Sequence, residues 1–149
     1  MNITGVSGTN ITDKDIKTAI VKLLQKNGFE VVASEIKEGF PKPAVFIDVF
    51  PESVSRHGAL LEQIILSIEL KYVPNTETSE HIMDISNKFK EIFMYQPLKV
   101  HDRRFTIENI DFEHENYVLF TYFDISFLQE LPQNEEFEPI ENLEMDGDI

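Results

Sequence analysis

Two rhythms of apolar and polar positions alternate along the chain, and each change of rhythm marks an element. Ile16, Ala19, Ile20, Leu23 and Leu24 recur at helical spacing. Thr12 stands where an N-cap belongs, Asp15 completes a capping box, and Gly28 sits at the expected helix end, predicting a helix over 13–26. Residues 29–33 read as a short strand. Pro41 and Pro43 bracket a turn into AVFIDVF, a strand expected to close at Pro51. The segment PESVSRHGA then reads as a nine-residue loop, and its Arg56 and His57 are candidates for contacting a partner.

Period two governs residues 60–73. Leu60, Ile64, Leu66, Ile68, Leu70 and Tyr72 share one face, interrupted at its start by Glu62, while Gln63, Ser67, Glu69 and Lys71 share the other. Helical spacing returns over 79–94, where Ile82, Ile85, Phe89, Ile92 and Phe93 form one stripe and Pro97 lies beyond the end. Strands are predicted over 105–112 and 117–128, linked by His114-Glu115-Asn116, with room for a shorter strand at 98–100. The order αβββαββ(β), with short links, implies an α+β fold: an antiparallel sheet with two α-helices packed on one face.

Two helices cover one sheet face, and the other is not properly polar. It is expected to carry Phe46, Phe50, Ile65, Val118, Phe120 and Tyr122 among Asp48, Gln63, Ser67 and Asp124. Aromatic side chains on an uncovered face point to a subunit interface, unless the amino-terminal arm or a loop lies over them.

Composition then narrows the function. The 149 residues suit one domain, and the 42% apolar content, with twelve Phe, is enough for a core. Net charge is −14, but eight of the acids and none of the bases lie beyond Leu128. The preceding part holds nineteen acids and thirteen bases, a net charge of −6. The chain therefore divides into a flexible arm over 1–11, a domain over 12–128 and an acidic tail over 129–149, expected to be disordered. Scattered bases argue against a nucleic-acid partner. The absence of cysteine excludes disulfides and thiolate chemistry. No apolar run approaches the ~20 residues of a membrane span, and the first residues lack a signal-peptide pattern, so neither membrane insertion nor export is expected.

Candidate chemistry is sparse. His57, His81, His101 and His114 share no metal-ligand spacing, and Glu108, Asp111, Glu113 and Glu115 match no calcium loop. Neither a nucleophile elbow nor a phosphate-binding glycine loop is present. Asp48 and Asp124 would form an acid–base pair if they adjoined on the outer face. No catalytic, cofactor or metal site is otherwise indicated, and the expected role is not enzymatic.

The succession TDKDIKTAIVKLLQKNG, SEIKEGFPKPAVFIDVFP and LEQIILSIELKYVP resembles the small tail terminator proteins of tailed phages and phage-like particles, especially those of Firmicutes. Glu38, Gly39, Phe40, Pro43, Phe46 and Ile47 carry its most telling element, and the likeness extends over 12–128. The resemblance implies a homohexameric ring that caps the tail tube, stops its polymerisation and meets head or neck connector proteins, with sheath as a further partner. It also implies assembly in the bacterial host cytoplasm and a final place in the virion tail. A head–tail adaptor or tail completion protein is the nearest alternative. A small ligand-binding domain or enzyme, built from Asp48, Asp124 and the PESVSRHGA segment, is the more distant one.

Overall fold

The computed structural model describes residues 10–33, 35–36 and 38–132. Helix α1 spans Asp13–Lys26 and begins with the expected reciprocal cap. The Asp15 amide donates to Thr12 Oγ1 at 3.1 Å, and the Thr12 amide donates to Asp15 Oδ2 at 3.0 Å. These bonds satisfy donors that the first helical turn leaves orphaned. Ile16, Ile20 and Leu24 form its buried stripe. Past the end, Gly28 takes φ +90°, a left-handed conformation that turns the chain back towards the sheet.

Beyond α1 the described residues form seven strands and a second helix: β1 (Val31–Val32), β2 (Ala44–His57), β3 (Leu61–Val73), α2 (Ser79–Met94), β4 (Leu98–Val100), β5 (Arg103–Phe105), β6 (Asp111–Glu115) and β7 (Val118–Glu130). Five strands make one sheet in the order β1-β2-β3-β7-β6, antiparallel except where β1 runs parallel to β2. Strands β4 and β5 pair separately. The α+β class and the order of elements are those expected from sequence, including the short strand at 98–100, with one further strand after α2.

Three local readings are corrected. Pro51 does not close β2, which continues to His57, so PESVSRHGA is not a loop but the distal half of a long hairpin. Beyond Phe46, β2 lies on the sheet edge, where a missing donor is tolerated, and Glu52 is taken up as a bulge between Pro51 and Ser53. The expected strand over 105–112 is split between β5 and β6. The last hairpin turns at Asn116-Tyr117, with φ of 51° and 64°, rather than at His114-Glu115-Asn116. Positive φ at both central residues gives a turn whose twist suits the flanking strands.

Both helices pack on one face. Ile16, Ile20 and Leu24 of α1 join Ile82, Ile85, Phe89, Ile92 and Phe93 of α2 over Leu66, Ile68, Leu70 and Tyr72 of β3. Phe29 wedges between Tyr72 and Phe89, with ring centroids at 6.1 and 5.1 Å. Arg103 ties the β4–β5 hairpin to the sheet: Nη1 donates to the Leu128 carbonyl at 3.0 Å, and the guanidinium lies 5.4 Å from the Phe127 centroid. The folded unit also exceeds its expected limits. Ile11 is buried in the core, and its amide donates to Gln129 Oε1 at 2.7 Å, within β7. Residues 1–9 of the expected arm, and the acidic tail beyond Pro132, lie outside the described residues.

Candidate assembly surface

Register across the sheet builds the outer face row by row. Phe46 of β2 faces Lys71 of β3, which faces Phe120 of β7, which faces Glu113 of β6. The next row is Asp48, Glu69, Tyr122 and Asp111, and the one after it is Phe50, Ser67 and Asp124. Period two therefore places the expected residues on one face, as the alternation predicts.

Their exposure differs, however. Phe46 is only 7% exposed, because the Phe40 ring covers it edge-on and Lys71 Nζ sits 5.5 Å from its centroid. Ile36, Phe40, Phe46 and Phe120 wall a recess of about 270 Å3 at this end, with Asp48, Glu69 and Lys71 at its rim. Phe50 is 50% exposed, while Ile65, Val118, Phe120 and Tyr122 are half-buried. The loop before β2 thus supplies part of the cover that a partner was expected to provide.

The polar residues between them carry excess negative charge. Burial raises the Glu69 carboxyl above its ordinary range; Asp48, opposite it in register, raises it further, and Lys71 partly offsets both. Burial also raises the Tyr122 hydroxyl, with Glu69 and Glu113 adding to the shift. The Ser67 hydroxyl stands 2.6 Å from Glu52 Oε1 and 3.1 Å from Asp124 Oδ1. Asp48 and Asp124 occupy different rows, separated by β3, and the fold does not bring them together as an acid–base pair.

The remaining candidates are dispersed. Arg56 and His57 lie at the exposed tip of the β2–β3 hairpin, opposite Glu62 and Leu61. His81 Nε2 is 2.9 Å from the Tyr72 hydroxyl, and His101 Nε2 is 3.3 Å from Asp15 Oδ2. His114 is exposed on β6. Among the described residues no group of three His, Cys, Asp or Glu side chains is placed to hold a metal. No helix among the described residues is long and apolar enough to cross a membrane.

Two apolar patches stand out instead, at opposite ends and opposite edges of the sheet. On the β2–β3 hairpin, Val54 and Leu60 are 60% and 64% exposed; Val54 stands opposite Ile64 on the helix side of the sheet, whereas Phe50, 50% exposed, stands opposite Ser67 on the outer face. Where the β6–β7 turn meets α2, Met83, Phe112 and Tyr117 are 61%, 38% and 41% exposed and border a groove of about 510 Å3. The second patch is not apparent from sequence. Met83 falls beside the α2 core stripe, and Tyr117 becomes a turn residue only once the hairpin register is known.

Comparison with known proteins places this arrangement. Residues 15–138 match the model of a family described as phage tail terminator protein. The match reaches ten residues beyond Leu128, into the acidic segment that the resemblance was expected to leave out. No curated protein matches in sequence. One solved structure aligns with 85% of this chain and 100% of its own length, at 12% identity and a TM-score of 0.45, too low to bear on function.

Proposed function

Because the chain belongs to the phage tail terminator family, we propose that copies of it close a ring on the end of the tail tube, stop its polymerisation and present the surface that joins tail to head. The family assigns the chain a structural role in the phage tail. The ring reading rests on one observation: Val54 and Leu60 lie at one end of the sheet, and Met83, Phe112 and Tyr117 at the other. A ring needs two different patches on each subunit, because its contacts run head to tail, whereas a twofold dimer needs one patch that meets itself.

The subunit contact would then join the hairpin patch of one copy to the turn patch of the next. Ile65 and Val118 lie on the opposite, outer face from Val54 and Phe112. Phe120 and Tyr122 share that outer face, and Phe46 drops out because Phe40 covers it. Arg56 and His57, at the hairpin tip, are placed to meet the tube or a connector protein. The ring is expected to be a hexamer.

Electron microscopy of the purified protein, alone and with assembled tail tubes, tests the reading. Rings, or a cap on tube ends, are expected. A protein that stays monomeric and leaves tube ends bare would overturn it.

A further inference from the structure

A second surface has a different character. Between α1 and β4 runs a groove of about 480 Å3, bordered by Lys22, Lys26, Lys99, His101, Asp15 and Leu23. Among the described residues the one ion pair is His101 to Asp15 at 3.3 Å, so Lys22, Lys26 and Lys99 face the groove without a carboxylate partner. Half-buried Ala19 and Leu23 give its floor an apolar stripe.

The chain leaves its last described strand beside the mouth of this groove. Gln129 accepts from the amide of Ile11, just before the helix that carries Asp15, and Leu128 accepts from Arg103, just after His101. The carboxy-terminal segment is the most acidic part of the protein: from Gln129 onward there are eight acids, no bases, and Phe137 and Ile140 among them. Residues 133–149 can span at most about 61 Å when extended. The groove runs along α1 from Asp15 to Lys26, a length of about 17 Å. Reach is not limiting.

We propose that this groove is the docking site of the chain's own acidic carboxy-terminal segment, with Lys22, Lys26 and Lys99 taking its carboxylates and the Ala19–Leu23 stripe taking Phe137 or Ile140. Each lysine–carboxylate contact at such a surface is weak and screened by salt. Several in series, with an apolar anchor, hold the segment reversibly. The inference does not depend on ring formation.

The test uses the full chain. Carbodiimide at low ionic strength couples a lysine amine to a touching carboxylate without a spacer, and peptide mass spectrometry locates the link. An equal mixture of 14N- and 15N-labelled chains distinguishes links within one chain from links between copies. Links from Lys22, Lys26 and Lys99 to Glu135, Glu136, Glu138, Glu141 or Glu144 are expected, several-fold above those from Lys14, Lys88 and Lys90. They should be confined to single-label pairs and be lost at about 1 M salt, where screening acts within ~3 Å. Links spread evenly over all the lysines, links of mixed label, or no links to the groove would each overturn the proposal. Mixed-label links would assign the groove to a neighbouring copy's segment instead.

Discussion

The Phe40 ring meets the Phe46 ring edge-on, with centroids 4.9 Å apart and planes at 86°. The loop before β2 thereby closes one end of the outer sheet face with the chain's own side chain, making Phe46 a second, smaller core opposite the helices.

Phe46 and Phe50 should therefore behave differently although they share a face. Phe46→Ala should cost about 3–5 kcal/mol, in the range for a buried phenylalanine. Phe50→Ala, at a position 50% exposed, should change folding stability by no more than about 0.5 kcal/mol. Urea denaturation of the two variants checks this, and equal costs would mean that the Phe40 cover is not formed.

How far the sequence discloses this arrangement depends on the range of the signal. Thr12, Asp15 and Gly28 act within one or two helical turns, so α1 is legible to the residue. The alternation of Leu66, Ile68, Leu70 and Tyr72 is equally direct, because a half-buried strand must repeat every second residue. Pro51 misleads because its effect depends on whether a strand lies beside it, and β1 stops short of it. The cover over Phe46 comes from Phe40, in a segment without periodicity. In the α1–β4 groove Lys22 and Lys26 are one helical turn apart, but Lys99 is distant in sequence and joins them only when Leu98 and Val100 pack into the core beside α1.

The core under the helices makes a stringent reference. Ile68 is 1% exposed within the cluster that both helices cover, so Ile68→Ala should cost about 2–5 kcal/mol. Thr121 lies in the same layer, 0% exposed, and its hydroxyl has no hydrogen-bond partner among the described residues. Thr121→Val keeps the shape and removes the unpaired group. It should raise stability by about 1–2 kcal/mol, and a loss measured by urea denaturation would show that the hydroxyl is satisfied in solution.

Glu69 adds a pH dependence with a definite sign. Its folded carboxyl titrates above the ordinary value of 4.5, through burial and then Asp48, with Lys71 opposing. A raised carboxylate pKa means that the folded state holds the proton more tightly than the unfolded state. Stability associated with this group is therefore full below 4.5 and is lost as pH rises through the folded pKa. Glu69→Gln should be more stable than the parent at pH 7, and the advantage should vanish near pH 3. Thermal melts at the two pH values test it, and a pH-independent difference would refute the assignment.

The two exposed apolar patches permit a test of how the subunits meet. Val54 is 60% exposed on the edge strand β2, and Met83 is 61% exposed on α2. A lysine at either position should leave the monomer folded, since exposed substitutions rarely cost more than about 0.5 kcal/mol. In a head-to-tail ring each contact uses the hairpin patch of one copy and the turn patch of the next. Val54→Lys should abolish assembly alone, and Met83→Lys should do the same. Mixed together, however, the intact turn patch of the first can still meet the intact hairpin patch of the second. That gives one good contact with no means of propagating it, so the mixture should stop at a pair, read as twice the monomer mass by light scattering under conditions where the parent assembles. A twofold interface predicts otherwise: only one of the two variants would fail, and mixing would rescue nothing. The mass of the mixture, rather than that of either variant, decides whether the two ends of the sheet are the two halves of one contact.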